Sequence, residues 1–257
     1  MNALLNEGPI VKNKDTGIDH LCNFIARKDF CHIPAEKMLR YILDDSPQAL
    51  DDLQAFKNSW NDLAQDEYMA DGGKYRLRRH ATLSALPSSR IVYIQPHQPH
   101  QPHYQSLTYN HLNGNIARHY QPIAPHILAG STMTALIRLC CGIFGRLSPY
   151  SEWHIEAHQF RIDATILAEG NPTPEGIHRD GVSFVLMMMV KRTNVVNGCT
   201  QIYDLEKRRL DSFTLTDTFD SAIVNDLHVM HSVTPIVRLD QGKTATRDML
   251  VLTFHKK

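Results

Sequence analysis

The sequence predicts an α+β protein, with helices in the first part of the chain and a double-sheet barrel or jelly roll in the last part. Residues 1–60 contain amphipathic segments, whereas from about residue 153 short apolar segments alternate with turn residues. This regular spacing of short strands is typical of sandwiches and barrels. No linker rich in proline, glycine or serine divides the chain. We therefore expect one domain over residues 1–257, with residues 1–60 as a helical buttress and a core over about 66–257.

Helix starts are marked by capping residues and prolines. Asp19 is placed to cap an amphipathic segment, and Pro34 and Pro47 are placed to open the next two helices. The apolar segment STMTALIRLCCGIF (131–144) predicts a buried helix that begins at Ser131 or Thr132.

Two polar segments lie between the first helices and the barrel. The segment YNHLNGNIARHYQPI (109–123) predicts a β-hairpin with Asn-Gly at its turn. The segment PHQPHQPHYQ (96–105) repeats proline and histidine every three residues. Proline at that period favours an extended chain whose histidines need not converge, so a solvated loop is preferred to a metal site.

Seven segments predict the strands of the barrel, separated by NPTPEG, NVVNG, LTDTFD and LDQGK. Within them, the apolar run from Val185 to Val190 is most simply core packing. The strand candidates are WHIEAHQFRIDA, VSFVLMMMV, TQIYD, FTLT, SAIVND, HSVTPIVRL and MLVLTF.

Charge and composition exclude several classes of partner. The chain has 27 basic and 27 acidic residues, so no excess of positive charge favours a nucleic-acid backbone or an anionic membrane. No apolar run reaches the ~18 residues that span a bilayer, and the first residues lack signal-peptide character. Five cysteines without metal-finger spacing indicate reduced thiols, and thus a cytoplasmic protein.

The segment PEGIHRDGVSF (174–184) carries the chemistry. His178 and Asp180 stand two residues apart, and residues i and i+2 of a strand share a face, so both side chains can bind one divalent ion. His231 is the best third ligand, because it begins a β-rich run. His228 is a rival that precedes the apolar strand. Two histidines and one carboxylate form the facial triad that leaves positions open on Fe(II).

An arginine follows the triad at the entry to the last strand. Arg247, in TRDMLVLTF, would lie near the metal in a barrel, where a buried guanidinium suits the distal carboxylate of a dicarboxylic acid. Arg238 is the rival, but it precedes the LDQGK turn and is expected at the rim.

These segments together resemble a known family. The segments around residues 153–164, 172–190, 192–204, 229–236 and 246–254 are similar, in this order, to the 2-oxoglutarate-iron dioxygenases that include bacterial L-isoleucine 4-hydroxylase and other free amino-acid hydroxylases. The segments YRLRRH (75–80) and 109–123 extend the resemblance to about residues 66–257. It implies a double-stranded β-helix, iron on His178, Asp180 and His231, and 2-oxoglutarate on Arg247, with O₂ as oxidant. Where a Gly-Gly pair is expected, this chain has Gly198-Cys199, which puts the choice of substrate in doubt.

A free amino acid requires partners for its carboxylate and its ammonium group. Arg161 is the favoured carboxylate partner, with Gln159 on the same face of its strand, and a structural salt bridge is the alternative for Arg161. Glu175 is the candidate for the ammonium group, and Thr200 is a candidate donor to 2-oxoglutarate. 

Arg76 and Arg79 are weaker candidates for the substrate, because a run of arginines is usually a solvated face.

The resulting hypothesis is an Fe(II)/2-oxoglutarate-dependent dioxygenase that hydroxylates a small molecule, with succinate and CO₂ as co-products. The favoured substrate is the side chain of a free L-amino acid, and a homodimer is compatible with the sequence. The alternative is a cupin-like metal-binding or sensing protein without turnover. Hydroxylation of a protein or nucleic acid is disfavoured by the neutral net charge.

Overall fold

The computed structural model describes residues 16–87, 92–165 and 168–257. Its helices are α1 (Thr16–Lys28), α2 (Ala35–Asp45), α3 (Leu53–Asn58), α4 (Pro125–Leu128) and α5 (Ser131–Leu147), with a 3-10 turn over Ser59–Asp62. Its strands are β1 (Phe30–Ile33), β2 (Ala64–Gln65), β3 (Arg76–Pro87), β4 (Val92–Pro96), β5 (Trp153–Asp163), β6 (Phe184–Thr193), β7 (Val195–Asn197), β8 (Thr200–Tyr203), β9 (Arg209–Phe213), β10 (Ser221–Asn225), β11 (Met230–Val233), β12 (Ile236–Arg238) and β13 (Thr246–Lys256).

The strands form one large sheet and two small ones. The large sheet has the order β1-β10-β6-β13-β5-β3-β2, with β4 paired to β3, while β11-β8-β9 and β12-β7 form the small sheets. All paired strands in these sheets run antiparallel. The predicted α+β class and jelly-roll barrel are confirmed.

Strand β6 is buried on both faces, which explains its continuous apolar sequence. Its even-numbered residues, including Leu186 and Met188, pack in a cluster with α1, α2 and α5. Its odd-numbered residues Val185, Met187 and Met189 pack in a second cluster, which includes Ile202 of the small sheet. The alternation along one strand therefore divides the core into a helix–sheet layer and a barrel interior.

The predicted helices are present, with two changes in their bounds. Helix α1 begins at Thr16, so Asp19 lies within its first turn and does not cap it. Pro34 precedes the first turn of α2, and α5 is largely buried, as expected. Pro47 opens only a turn, and α3 does not begin until Leu53. None of the helices in the described ranges is long and apolar enough to cross a membrane.

The predicted β-hairpin at residues 109–123 is wrong. Asn113 and Gly114 lie in a compact loop, because the side chain of Asn110 accepts a hydrogen bond from Asn113 N and its carbonyl accepts one from Gly114 N. Asn113 Oδ1 in turn accepts a hydrogen bond from Ala70 N. Asparagine side chains thus satisfy backbone groups that strand pairing would otherwise satisfy.

The histidine-rich segment also differs from the expected solvated loop. His97 is hydrogen bonded to Ser84 Oγ and His100 to Tyr120 O, at 2.8 and 3.0 Å. His103 is buried against the β5 residue Glu156. The three histidines therefore face the protein.

The strand predicted at FTLT (213–216) lies earlier in the chain than expected, because β9 covers Arg209–Phe213.

Helix α5 is capped from a distance by Asp52. Its carboxylate accepts hydrogen bonds from Thr132 N and Ser131 Oγ at 2.9 and 2.8 Å. Burial opposes the charge on Asp52, but these hydrogen bonds outweigh it and lower the pKa of the carboxyl group.

We expect Asp52→Ala to lower the free energy of unfolding by about 1–2 kcal/mol, as loss of a helix cap does. Because the folded-state pKa is depressed, this contribution is present above the ordinary carboxyl pKa of about 4 and is lost as the pH falls further. Urea unfolding at neutral and acidic pH measures it. Asp51→Ala, at the exposed neighbouring position, is the control, and an equal effect there would contradict the capping role.

Candidate active site

A cavity inside the barrel brings the residues of the facial triad together with four arginines. It is bounded by β3, β5, β6, β11 and β13, by the loop that follows β4 and by the loop that precedes β6. Its lining includes Arg76, Arg78, His103, Gln105, Arg118, His158, Phe160, Glu175, His178, Asp180, His231 and Arg247.

The three triad side chains converge. One ligand atom from each of His178, Asp180 and His231 lies within 4.8 Å of the others. Asp180 Oδ1 is 4.0 Å from His178 Nε2, and Asp180 Oδ2 is 3.7 Å from His231 Nε2. Two imidazole nitrogens and one carboxylate in this arrangement fit Fe(II).

Backbone pairing holds the two histidines side by side. His178 N donates to His231 O at 3.0 Å, and His231 N donates to His178 O at 2.9 Å. Regular strand β6 begins only at Phe184, so the alternation argument does not position Asp180. The convergence depends instead on this bridge and on the turn that follows it.

Asp226 fixes that turn. Its buried carboxylate accepts hydrogen bonds from the backbone N–H groups of Asp180, Gly181 and Val182, at 3.0, 2.7 and 3.0 Å. Gly181 has a φ of +81°, and an added Cβ would lie 2.4 Å from the ring of Tyr109. The glycine after Asp180 is therefore required by both backbone conformation and space.

The protonation of the triad suits a metal ion. His178 Nδ1 lies 3.0 Å from Gly176 O and must donate to it, so Nε2 is the nitrogen available to a metal ion. Burial lowers the pKa of His231 well below its usual value, and His178 adds to that effect. For His178, burial is outweighed by Glu175 and Asp180, and the pKa is raised. A cation bound at His178 Nε2 would replace the second proton that the raised pKa favours on this ring.

Arg247 enters the same cavity with a buried, unpaired guanidinium nitrogen. Its Nε has no hydrogen-bond partner within the described ranges. Burial, together with Arg192, lowers its pKa to about 10, so the charge lacks compensation. Thr200 does not line the cavity, but it pairs with Val233, which does, and its buried Oγ1 has no hydrogen-bond partner among the described residues. Both groups fit a ligand carboxylate.

The structure does not bring Arg161 and Gln159 to this site. Arg161 forms two hydrogen bonds to Asp248, at 2.7 and 2.8 Å, and Gln159 Nε2 donates to Ser59 Oγ. The predicted alternation along β5 is present, but the opposite face, with His158 and Phe160, lines the cavity. The structural salt bridge considered for Arg161 is the arrangement observed.

The remaining candidates separate clearly. Glu175 lines the cavity, with Oε1 3.3 Å from His178 Nε2. Arg76 is buried there against Asp66, whereas Arg79 faces outward and pairs with the exposed Asp62.

The two rivals lie elsewhere. His228 is exposed and contacts Asp29, and Arg238 donates to the carbonyl of Ala164. Cys199 does not line the cavity, and its amide donates to Thr234 Oγ1 at 2.9 Å.

Sequence reasoning missed Arg118 and Gln105. Arg118 is only 2% exposed, lines the cavity and has no acidic partner in the part of the chain that the structure describes. Its terminal nitrogen donates to Gln105 Oε1 at 2.9 Å, and Gln105 Nε2 lies 3.4 Å from Asp180 Oδ1. Both residues sit in irregular loops, so no period in the sequence indicates that they face inward.

An antiparallel jelly roll with an interior facial triad and an unpaired arginine defines the architecture of an iron-dependent oxygenase. The family model described as 2OG-Fe dioxygenase matches residues 57–253. The chain belongs to this family, and it is therefore a 2-oxoglutarate-dependent dioxygenase that uses Fe(II), 2-oxoglutarate and O₂.

Individual relatives agree with this assignment. The chain is 23% identical over 211 residues to 3(1)-hydroxy-L-isoleucine 4-dioxygenase of Pantoea ananatis, covering 80% of this chain and 82% of that protein. A BsmA homologue from Methylobium petroleophilum has a TM-score of 0.81 and 32% identity, with 93% of each chain covered. The structure of IDO from Bacillus thuringiensis has a TM-score of 0.74 at 18% identity, covering 93% of this chain and 99% of that one, and supports the fold.

We expect Asp226→Asn to weaken Fe(II) binding by about 10–100-fold, since partners that orient metal ligands contribute on that scale. Equilibrium dialysis under anaerobic conditions measures it, with Asp211→Asn on exposed β9 as the control. Unchanged iron affinity in a folded Asp226→Asn protein would show that the turn does not depend on this carboxylate.

Proposed function

We propose that this dioxygenase hydroxylates the side chain of a free L-amino acid and forms succinate and CO₂ from 2-oxoglutarate. The relative from Pantoea ananatis acts, by its name, on a hydroxylated isoleucine, which supports an amino-acid substrate. The main support is a physical feature of the cavity. It contains two buried arginines, Arg118 and Arg247, that have no acidic partner among the described residues.

These two guanidinium groups, which lack an acidic partner among the described residues, match two carboxylate ligands. An uncompensated buried charge is costly, and a bidentate carboxylate is its best partner. Arg247 is proposed to bind the distal carboxylate of 2-oxoglutarate, and the unpaired Thr200 Oγ1 is a candidate second donor to it. Arg118 is then available for the α-carboxylate of the substrate. Arg76 and Arg78 are less suitable, because both contact Asp66, at 2.7 and 3.6 Å.

The triad residues are assigned to the metal. His178, Asp180 and His231 would hold Fe(II), which supplies the activation of O₂ for attack on an unactivated C–H bond. Glu175 lies beside the triad and is proposed to bind the substrate ammonium group. The closed, apolar parts of the cavity, such as Met187 and Phe160, exclude water from the reacting carbon.

A small substrate agrees with the position of the positive charge. The arginines are enclosed in the barrel rather than arrayed along an outer groove, so a polymer backbone does not reach them. Five free cysteines are consistent with the cytoplasmic location that forms part of this proposal.

A screen of the proteinogenic amino acids for succinate formation tests the proposal. We expect Fe(II)- and 2-oxoglutarate-dependent turnover with at least one aliphatic amino acid, and loss of that turnover in Asp180→Ala because a metal ligand is removed. Mass spectrometry of the product should show one added oxygen. Absence of product with every amino acid, despite bound iron, would contradict the proposed substrate class.

The assignment of Arg118 has its own test. Arg118→Gln should raise KM for the amino acid by about 100-fold, on the scale of one or two charge-assisted hydrogen bonds, and should leave 2-oxoglutarate affinity nearly unchanged. Arg161→Gln is the matched control, because Arg161 lies on the face of β5 that points away from the cavity. If Arg161→Gln raised KM and Arg118→Gln did not, the substrate carboxylate would have to be placed elsewhere.

A further inference from the structure

A second group of metal-ligand side chains lies beside the facial triad and shares no residue with it. One atom each from His80, His103, Glu156 and His158 lies within 4.8 Å of the others. The residues come from β3, from the histidine-rich segment and from β5. The hydroxylase described above requires none of them as an iron ligand, so the cluster calls for a separate explanation.

The donor atoms converge on one carboxylate oxygen. Glu156 Oε2 lies 3.1 Å from His80 Nε2 and is also hydrogen bonded to His103 Nδ1. For metal–ligand bonds of about 2.0–2.1 Å, tetrahedral ligands are separated by about 3.3–3.4 Å. The His80–Glu156 separation is close to that value.

The two ring nitrogens that face Glu156 are hydrogen-bond donors in the ion-free protein. An ionised carboxylate can only accept, so His80 Nε2 and His103 Nδ1 each carry a proton there. Metal binding would move the proton of each ring to its other nitrogen. In His80 that other nitrogen, Nδ1, has no hydrogen-bond partner among the described residues that would oppose the change.

His158 has a different role, which Arg78 determines. A guanidinium can only donate, and Arg78 lies 2.7 Å from His158 Nδ1, so that nitrogen is an acceptor. The neutral ring then carries its proton on Nε2, which lies 3.4 Å from Glu156 Oε2. His158 thus orients the carboxylate rather than binding a metal. The charge of Arg78 is partly offset by Asp66, at 3.6 Å.

We propose that His80 Nε2, His103 Nδ1 and Glu156 Oε2 form a second metal site, which binds a divalent transition-metal ion of the zinc type. Nitrogen-rich ligands favour zinc over calcium or magnesium, which prefer oxygen. A neighbouring cavity bordered by His103 and Glu156 leaves room for water as a further ligand. The ion would fasten the histidine-rich segment to β3 and β5.

This site would act on the hydroxylase centre through the chain that joins them. Gln105 follows His103 by two residues and contacts both Asp180 and Arg118. An ion on His103 would therefore hold in place the loop that supports one triad residue and the proposed carboxylate partner. Its role is structural, and its binding can be measured without any turnover.

Zinc binding to a protein without the facial triad tests the proposal. The full chain carrying His178→Ala and Asp180→Ala lacks two of the three triad ligands and should retain one zinc ion per chain after dialysis, as measured by elemental analysis. Adding His103→Ala or the isosteric Glu156→Gln should weaken zinc binding by more than the about 10–100-fold typical of outer partners. Circular dichroism confirms that each variant is folded.

His97→Ala provides the matched control, because His97 belongs to the same repeat but contacts Ser84. It should leave zinc binding unchanged. Two outcomes overturn the proposal: no stoichiometric zinc in the triad-deficient protein, or zinc that persists after both His103→Ala and Glu156→Gln. The first would identify an ion-free hydrogen-bonded cluster. Neither outcome bears on the amino-acid substrate.

Discussion

Two reciprocal hydrogen bonds between His178 and His231 are the constraint on which the site depends. They join the loop that precedes β6 to β11, a strand of the β11-β8-β9 sheet that lies more than fifty positions further along the chain. Once the backbones are paired, the imidazoles have little freedom to separate, and their ring centres lie 4.4 Å apart. Asp226 then fixes the turn that carries Asp180. The positions of the three triad residues are thus determined by backbone pairing together with the Asp226 carboxylate.

The large sheet makes this possible because it is supported on both sides. Helix α5 packs on one face through residues such as Phe144, which stacks on Phe184 with ring centres 4.6 Å apart. The other face lines the barrel interior, where several buried side chains are polar or charged. Arg78 is an example, since its guanidinium lies 3.7 Å from the centre of the Tyr120 ring and 4.5 Å from that of Phe160. Such cation–π contacts stabilise the positive charge of a buried guanidinium group.

The sequence predicted the fold class, α5 and the long strands β5, β6 and β13, because burial on one or both faces leaves a clear apolar period. It did not predict β3, whose sequence begins with arginines and a histidine that face buried positions. It also predicted the convergence of His178, Asp180 and His231, although the reason was pairing between distant segments rather than alternation along one strand. Arg161 was misassigned because alternation identifies two faces but not which one lines the cavity. Arg118 and His103 were overlooked as cavity residues because they lie in loops, where side-chain direction follows from tertiary contacts with no sequence period. The Asn-Gly signal failed for a related reason, since Asn110 satisfies the backbone groups of that loop.

Gln105 uses both ends of one planar amide. Its oxygen must accept from Arg118, which can only donate, and this assigns the nitrogen end to Asp180. The amide is rigid, so it cannot follow a displacement of one partner without altering its geometry to the other. The proposed anion-binding residue Arg118 and the triad residue Asp180 are therefore linked through one side chain. The position of the substrate relative to the metal would then depend on a single amide group, because Gln105 contacts both Arg118 and Asp180.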